Sequence, residues 1–330
     1  MIIKIIKNWR RNLVFLVLFN ALFTMNASAN DRYPDRSVRV IVGFQAGAST
    51  DTVARLISQQ LSERLNQSFV VENKPGAATR IAMDVLRKSP GDGYVLAVAT
   101  AVVTLFPVMF EETNFEPGKD FIPISMLGRS PSFLVVRSGL PIKNYQDFKD
   151  YAKTHKMSMA HPGNGTNPHL AGLALARSLG TSVVDVAYKG SQPIATALAA
   201  GEIDFALLEY EPVRPLLDRG AVRVLAVTEP KRFPLQPDVP TGRELGMPME
   251  IESLTPWYAL LAPAGTSTEI VSLLNGQVSS ILKTPAIQDR LLKVGIDPMP
   301  GSSEDALKQF KAHRQRIMVL LEKLGVSLKN

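Results

Sequence analysis

The chain has 330 residues, of which 45% are hydrophobic and 20% are charged, with a formal net charge of +7 and no cysteine. This composition supplies the core of about two domains and excludes wholesale disorder, disulfides, thiolate metal sites and cysteine nucleophiles. Residues 1–29 hold four basic and no acidic residues, and the rest of the chain has no dense basic stripe, so we expect no nucleic-acid partner.

Residues 1–29 have the pattern of a secretory signal peptide. A basic stretch ends at Arg10-Arg11, an apolar run follows at 13–23, and small residues at 27–29 provide a cleavage pattern. The apolar run is shorter than the about 20 residues that a membrane-spanning helix needs. We therefore expect cleavage after Ala29 and export of the mature chain, with an uncleaved anchor as the alternative. Whether export is Sec or twin-arginine stays open.

Strand and helix patterns alternate along the rest of the chain. We predict strands at 38–44, 69–72, 94–99, 133–137, 157–160, 183–187, 205–208 and 222–227. We predict helices at 53–65, 80–87, 102–110, 144–154, 168–179, 193–200, 212–218, 267–282, 285–293 and 303–323. Alternating units of this size indicate mostly parallel sheets covered by helices, hence an α/β fold.

The order of these elements predicts two α/β lobes. The chain leaves the first lobe near 122–129 and returns to it near 227–258, so two crossings form a hinge. We assign residues 30–125 with 240–330 to lobe 1, and residues 126–239 to lobe 2. A single larger sheet is the alternative.

Trp257 and Tyr258 follow the second crossing. We interpret them as part of a buried hinge strand. The alternative is an aromatic wall near the floor of the cleft between the lobes.

Three glycine-containing turns, at 45–51, 161–169 and 188–193, each follow a predicted strand and lead into a predicted helix. Ligands of open α/β sheets bind outside the carboxyl ends of the strands, where helix N-termini offer free N–H groups and about half a positive charge each. Lys189 and Arg80 are the cations near these turns. We therefore predict a carboxylate site built from neutral donors. The alternative is that these are ordinary turns that cap their helices.

The histidines and Asp51 do not form a recognisable catalytic or metal constellation. His161 and His169 flank one turn, but no cysteine or nearby carboxylate in the sequence completes a metal set, so we expect no metal. We expect His155 and His313 to be exposed. Asp51 is interpreted as a helix cap because the Gly-x-Ser-x-Gly elbow of hydrolases is absent. The Gly43–Ala48 turn lacks nucleotide-binding spacing, so we expect no cofactor.

Short motifs spread along the chain share one order and spacing. They are Gly43-Phe-Gln-Ala-Gly with Asp51 and Ala54-Arg55, Val71-Glu-Asn-Lys-Pro-Gly-Ala77, Gly91-Asp-Gly-Tyr94, Asp120-Phe-Ile-Pro-Ile124, Gly163-Asn-Gly-Thr with His169-Leu-Ala, Tyr188-Lys-Gly190 with Pro193, Gly201-Glu-Ile-Asp204, Leu225-Ala-Val-Thr228, Asp238-Val-Pro-Thr241 and Ala262-Pro-Ala-Gly-Thr266. In this order they resemble the solute receptors of tripartite tricarboxylate transporters, the TctC or Bug family.

The resemblance implies a type II periplasmic binding fold, two lobes joined by a two-strand hinge, that closes on a small carboxylate and delivers it to membrane permease subunits. It implies a binding protein and no enzyme, and we expect a monomer. Two alternatives are a periplasmic sensor that feeds a membrane signalling partner, and an exported hydrolase that uses Asp51, His161 or His169. Which carboxylate is bound, and how tightly, stays open.

From these turns and the resemblance we predict the ligand-binding residues. They are Phe44, Ala46, Gly47, Ala48, Ser49, Thr50, Ala78, Thr79, Thr100, Ala101, Thr104, His161, Pro162, Gly163, Asn164, Gly165, Thr166, Ser191, Gln192 and Glu209. The family usually has glycine where this chain has Ala48, and a glycine pair where it has Ala78-Thr79. A β-carbon there limits how closely a ligand can approach the backbone.

Overall fold

The computed structural model describes residues 33–110, 115–252 and 254–325. The predicted signal peptide, 1–29, lies outside the described residues. The chain divides into a unit of Met1–Arg36 and a compact unit of Ser37–Asn330, and every element below belongs to the second. Within the described ranges, no helix combines the length and the apolar character needed to cross a membrane.

Strands and helices alternate through most of the chain, as predicted. The strands are β1 Val38–Val42, β2 Phe69–Asn73, β3 Val95–Thr100, β4 Phe121–Arg129, β5 Ser132–Arg137, β6 Ser158–His161, β7 Val184–Ala187, β8 Phe205–Glu209, β9 Val222–Val227, β10 Trp257–Pro263 and β11 Asp297–Pro298. The helices are α1 Ser49–Leu65, α2 Arg80–Arg87, α3 Phe106–Met109, α4 Tyr145–Thr154, α5 Asn167–Ser178, α6 Ser191–Ala200, α7 Tyr210–Leu217, α8 Met249–Glu252, α9 Thr268–Leu282, α10 Pro285–Lys293 and α11 Ser303–Leu324. Single 3₁₀ turns cover Ala77–Thr79 and Ala101–Leu105.

The strands form two sheets. The first has the order β11-β4-β10-β3-β1-β2, and the second has the order β7-β6-β8-β5-β9. In the first sheet β1, β2 and β3 are parallel, and β10 runs antiparallel between β3 and β4. In the second sheet β6, β7 and β8 are parallel, and β5 is antiparallel to β8 and β9. The predicted parallel pairing therefore holds for β1, β2 and β3 and for β6, β7 and β8, whereas β10 and β5 pair antiparallel with their neighbours.

The chain passes between the sheets twice. The first passage lies between β4 and β5, and the second lies between β9 and β10 and includes α8. Hydrogen bonds tie the two passages together, because Ser130 N–H donates to the Pro256 carbonyl and Thr228 N–H donates to the Ser132 carbonyl, each at 2.8 Å. Two adjacent segments that carry the chain between sheets suit a hinge, although the assignment of lobe boundaries stays a prediction.

Strand β4 was not predicted. Pro123 stands inside it, and a proline inside an apolar run argues against a strand because it cannot donate to a neighbour. Here the pairing with β10 shifts register beside it, between Leu260 and Leu261. The irregular pairing accommodates the missing N–H group.

The C-terminal helix α11 covers the first sheet and buries a histidine. The Phe310 ring centre lies 4.5 Å from that of Trp257. On the same side His313 is 1% exposed, and its Nδ1 lies 2.9 Å from Thr104 Oγ1. The expectation that His313 is exposed was wrong because this face of the helix packs on the sheet, whereas His155 is exposed as expected. Burial lowers the pKa of His313 to about 3, so the ring is neutral.

Candidate ligand cleft

A cavity of about 560 Å³ lies beyond the carboxyl ends of β1, β3, β6 and β8, so both sheets contribute to its walls. The predicted site residues that line it are Phe44, Ala48, Ser49, Thr50, Ala78, Thr100, Ala101, Pro162, Asn164, Gly165, Thr166 and Glu209. We call this cavity the cleft.

Sequence reasoning missed several residues that line the cleft: Val102, Leu105, Met109, Asn167, Pro168, Pro256 and Tyr258. The three apolar residues follow β3, where the sequence showed only a helix pattern. Asn167 and Pro168 adjoin a predicted turn, and could have been found by extending that turn to its helix. Tyr258 was weighed as an aromatic wall, and it does face this cavity while its strand is buried.

The remaining predicted site residues do not line the cleft. They are Ala46, Gly47, Thr79, Thr104, His161, Gly163, Ser191 and Gln192. Several of them hold lining residues in place instead. Ser191 Oγ, for example, donates to Glu209 Oε2 at 2.8 Å.

The first wall of the cleft is the turn before α1, which we call the first loop (Phe44–Thr50). Ala48 occupies the cap position of α1, and no side chain caps this helix end. Asp51 instead accepts hydrogen bonds from Gly47 N–H at 2.9 Å, from Arg55 Nε at 2.8 Å and from Asn73 Nδ2 at 2.8 Å. The interpretation of Asp51 as a helix cap was therefore wrong. Its carboxylate holds the loop, and the first N–H groups of α1 are left to the cleft.

Asp51 keeps its charge although its side chain is buried. Burial works to raise the pKa of its carboxyl, but the hydrogen bonds from its three donors and the charge of Arg55 outweigh burial. The pKa is therefore lowered, and the first loop is held by an ionised acceptor.

The second wall is the turn before α5, which we call the second loop (Pro162–Thr166). Here two imidazoles accept from glycine N–H groups: His161 Nδ1 from Gly163 at 3.2 Å, and His169 Nδ1 from Gly165 at 2.9 Å. Each Nε2 lies 3.0 Å from one oxygen of Asp185 on β7. The expectation that no carboxylate lies near these histidines was wrong, because Asp185 is brought there by strand pairing.

The cluster of His161, His169 and Asp185 places its ligand-type atoms within 4.8 Å of one another, which is close enough for a metal ion. A ligating imidazole nitrogen must be free of its proton, and the other ring nitrogen then normally donates to an acceptor. Both Nδ1 atoms here face N–H donors, so each proton sits on Nε2. The arrangement fits a hydrogen-bonded set and does not fit a metal centre.

Helix α5 also begins without a side-chain cap, since Thr166 Oγ1 donates to the Gly163 carbonyl at 2.7 Å instead of accepting from the helix. Pro168 stands in the first turn and has no N–H to satisfy. The N-terminus of α5 at Asn167 therefore lies at the cleft as a second uncapped helix end.

Among the described residues that line the cleft, Glu209 is the one with a charged side chain. The predicted cations do not line it, and the Arg80 guanidinium lies 4.9 Å from the Phe110 ring centre. Tyr258 hydrogen-bonds Ser130 and Ser49, and burial together with the negative Glu209 raises the pKa of its hydroxyl. Tyr258 is thus a neutral phenol beside an acidic side chain.

The turn Ala77–Thr79 beside the first loop is conformationally strained. Ala77, Ala78 and Thr79 have φ of 45°, 48° and 76°, a region that L-residues other than glycine rarely adopt. The Oγ1 atoms of Thr79 and Thr100 are buried and have no hydrogen-bond partner. Thr100 lines the cleft, although its hydroxyl oxygen itself is buried.

A second cavity of about 690 Å³ lies on the hinge, bounded by Arg129, Glu229, Trp257 and α11. Burial raises the pKa of Glu229 to about 7, even though Arg129 Nη1 lies 2.8 Å from its Oε2. The charged residues around this cavity are largely paired with one another, as Lys323 is with Glu250. The cleft is the better candidate because two helix ends without side-chain caps line it.

Comparison with known proteins places the chain among transport receptors. A sequence model described as tripartite tricarboxylate transporter family receptor matches residues 53–326. Protein BugT of Bordetella pertussis is 29% identical over 98% of this chain and 100% of its own length. The structure of R. palustris Rpa4515 with adipate has a TM-score of 0.77 and 31% identity, over 90% of this chain and 100% of that one. MatC from Rhodopseudomonas palustris, with bound malate, has a TM-score of 0.68 and 30% identity, over 86% and 100%. These likenesses confirm the predicted fold class.

Proposed function

The chain belongs to the receptor family of tripartite tricarboxylate transporters, and on that premise we propose that it binds a small carboxylate in the cleft and presents it to the membrane subunits of such a transporter. The family and fold are those of periplasmic solute-binding receptors and not of enzymes. Relatives of this fold carry adipate and malate, which supports the same ligand class here.

The observation that carries the proposal is the convergence of two uncapped helix ends on one cavity. The N-termini of α1 and α5 both line the cleft, and neither has a side-chain cap. Each contributes roughly 0.3–1 kcal/mol toward an anion at an exposed site, and up to ~2 kcal/mol when partly buried. Together with the free N–H groups they suit one carboxylate without an arginine.

Glu209 narrows the class of ligand. A second carboxylate placed near Glu209 would be repelled, whereas an ammonium or hydroxyl group would find an acceptor there. We therefore propose a ligand with a carboxylate at one end and a hydrogen-bond donor at the other.

Calorimetric titration with matched four-carbon probes tests this. The probes are butyrate, 4-hydroxybutyrate, 4-aminobutyrate and succinate, with adipate and malate beside them. We expect the probes with a donor to bind about tenfold more tightly than succinate, equal to ~1.4 kcal/mol. Glu209→Gln removes the charge and should narrow that ratio of affinities. The control Glu211→Gln changes an exposed carboxylate two residues later, in α7, and should leave the ratio unchanged.

Failure of every carboxylate to bind to the folded chain would overturn the proposed function. If succinate bound as well as 4-aminobutyrate to the unchanged chain, the role of Glu209 would be wrong and the carboxylate site would stand.

The two lobes, 30–125 with 240–330 and 126–239, are proposed to close on the ligand about the paired segments near Ser130 and Thr228. We also propose a monomer, and cleavage of the signal peptide after Ala29. Small-angle scattering with and without ligand tests closure and the monomer together, since the radius of gyration should fall while the mass stays that of one chain. N-terminal sequencing of the exported protein tests the cleavage site.

A further inference from the structure

We propose that His161, His169 and Asp185 form a positioning unit that holds the second loop in its ligand-binding shape, and that it does so only while both imidazoles are neutral. The unit itself does not line the cleft, so it acts on the ligand through the glycine backbone. The effect of the unit on ligand affinity rests on the function proposed above, whereas the hydrogen bonds within the unit do not depend on that function.

The protons of the unit follow from its donors and acceptors. A backbone N–H only donates, so Nδ1 of each histidine offers a lone pair to Gly163 or Gly165. The carboxylate of Asp185 accepts at both oxygens, at 3.0 Å from each Nε2. Each ring therefore carries its one proton on Nε2, and one carboxylate fixes the tautomer of both.

The unit is buried on the histidine side and reaches solvent on the aspartate side. The side chains of His161 and His169 are 1% and 8% exposed, and that of Asp185 is 37% exposed. The ring centres of the histidines lie 4.2 Å apart. Two charged imidazoles at that separation would repel each other, so the arrangement opposes charging both rings at once.

Protonation would break the unit. A charged imidazole carries N–H on both nitrogens, so Nδ1–H would face the glycine N–H and the loop bond would be lost. Burial first, and then the neighbouring His161, lower the pKa of His169, while Asp185 raises it. The loop is thus held at neutral pH and released in acid.

Other charged groups near α5 are already paired. Helix α5 packs on α8, β6 and β8. On α8, Glu250 pairs with Lys323 and Glu252 with Arg243. At the ends of β8, Asp204 pairs with Arg137 and Glu209 accepts from Ser191. Among the described residues, His161 and Asp185 are the groups that act on the charge of His169.

The first test is nuclear magnetic resonance of the whole chain with ¹⁵N-labelled histidine rings, and it needs no ligand. The chain has four histidines, so each signal can be assigned by single substitution. At pH 7.5 we expect Nε2–H tautomers for His161 and His169. Asp185→Asn offers one oxygen and one amide group, so one of the two rings should change to the Nδ1–H tautomer. The control Glu202→Gln, at an exposed position, should change neither.

Two results would overturn the unit in this test. One is an Nδ1–H tautomer on both rings of the unchanged chain. The other is a shift of both Nε2 signals when equimolar Zn²⁺ is added, which would make the cluster a metal site.

The second test is the affinity for the tightest-binding probe of the carboxylate set, measured from pH 7.5 to 5.5. His169→Asn keeps an acceptor near the Nδ1 position, and His169→Gln moves the amide to the Nε2 position. We expect His169→Gln to bind about five- to tenfold more weakly at pH 7.5, as for a lost hydrogen bond, and His169→Asn to bind nearly as well as the unchanged chain. Below pH 6 the unchanged chain should weaken more than His169→Asn, and comparison of the two cancels ionisation of the ligand.

The outcomes separate the two proposals. If no carboxylate binds at any pH, the proposed function fails and the tautomer test still decides the unit. If carboxylates bind and both variants match the unchanged chain at every pH, the positioning role is wrong while the receptor function stands.

Discussion

The two loops of the cleft use the same geometry with different chemistry. In the first loop Gly47 N–H donates to the side chain four residues later, the carboxylate of Asp51. In the second loop Gly165 N–H donates to the side chain four residues later, the imidazole of His169. In each case a glycine turn is fixed from inside the following helix, and the end of that helix is left uncapped toward the ligand. The comparison shows that an acceptor at this spacing is what the turn needs, and that a carboxylate or an imidazole supplies it.

The difference lies in how each acceptor responds to acid. The carboxylate of Asp51 has a lowered pKa, so it stays an acceptor throughout the neutral and mildly acidic range. The imidazole of His169 stops accepting once it is protonated. We therefore expect the first loop to persist in mild acid while the second loop opens.

The largest expected effect comes from Asp51→Ala, which removes the acceptor of the first loop. It leaves Gly47 N–H without its acceptor, removes one of the two acceptors of the Asn73 amide and breaks the ion pair with Arg55. We therefore expect the free energy of unfolding to fall by about 2–3 kcal/mol. Urea unfolding measures it. The control is Asp147→Ala, because Asp147 accepts from Lys143 N–H in the same spacing on an exposed helix and should cost about 1 kcal/mol. Equal losses at the two sites would show that burial of the Asp51 carboxylate is unimportant.

The second-largest effect is expected in the pH dependence of the free energy of unfolding, which should distinguish the two loops. In the folded chain the pKa of His169 and that of His313 are both lowered, so unfolding takes up protons below about pH 6.5, and stability falls as pH falls, by up to ~1.4 kcal/mol per pH unit for each ring. Asp51 contributes stability that is lost only below about pH 4. Unfolding of His313→Gln between pH 7 and 5 should retain the smaller slope that belongs to the second loop.

Removing the imidazole tests the source of that remaining slope. His169→Asn in the His313→Gln background should flatten the dependence on pH further. A slope unchanged by both substitutions would place the acid sensitivity outside these histidines and would remove the contrast between the loops.

A matched pair of glycine substitutions tests whether the loops are equally strained. Gly47 and Gly165 have φ of +87° and +74°, so alanine at either position should cost about 1–2 kcal/mol of stability. Gly165 lines the cleft and Gly47 does not. Gly165→Ala should therefore also weaken carboxylate binding, while Gly47→Ala should change affinity less. Denaturant unfolding measures the stability of both variants, and calorimetry measures their affinity for the carboxylate. Equal losses of affinity would mean that lining the cleft does not set Gly165 apart from Gly47.

The smallest expected effect concerns the strained turn beside the first loop. Ala78 has φ of 48°, so Ala78→Gly relieves the strain of a left-handed alanine but loses more entropy on folding. We expect a net gain of about 0.5 kcal/mol. A rise of a few degrees or less in the thermal midpoint would register it. A fall would show that the alanine methyl group packs favourably at the cleft wall.

Much of this architecture was predictable, because local patterns specify local structure. The helix predicted at 285–293 coincides with Pro285–Lys293, since proline at its start and basic residues at its end are strong boundary signals. Strand β4 was missed because Pro123, which has no N–H to donate to a neighbouring strand, argues against a strand there. His313 was judged exposed because its neighbours in sequence are polar, and only packing on the first sheet buries it.

The sequence by itself determined the order of strands and helices, the glycine turns before α1 and α5, and the likeness to transport receptors, because each depends on residues close together in the chain. Only the tertiary structure decided which distant side chains hydrogen-bond the residues that hold those turns. Asp185 is 16 residues from His169 and meets it only because β7 pairs beside β6 with Met159 opposite Asp185. Register between strands and the burial of helix faces arise from contacts between distant segments, so no local pattern could show which side chain would hold the second loop.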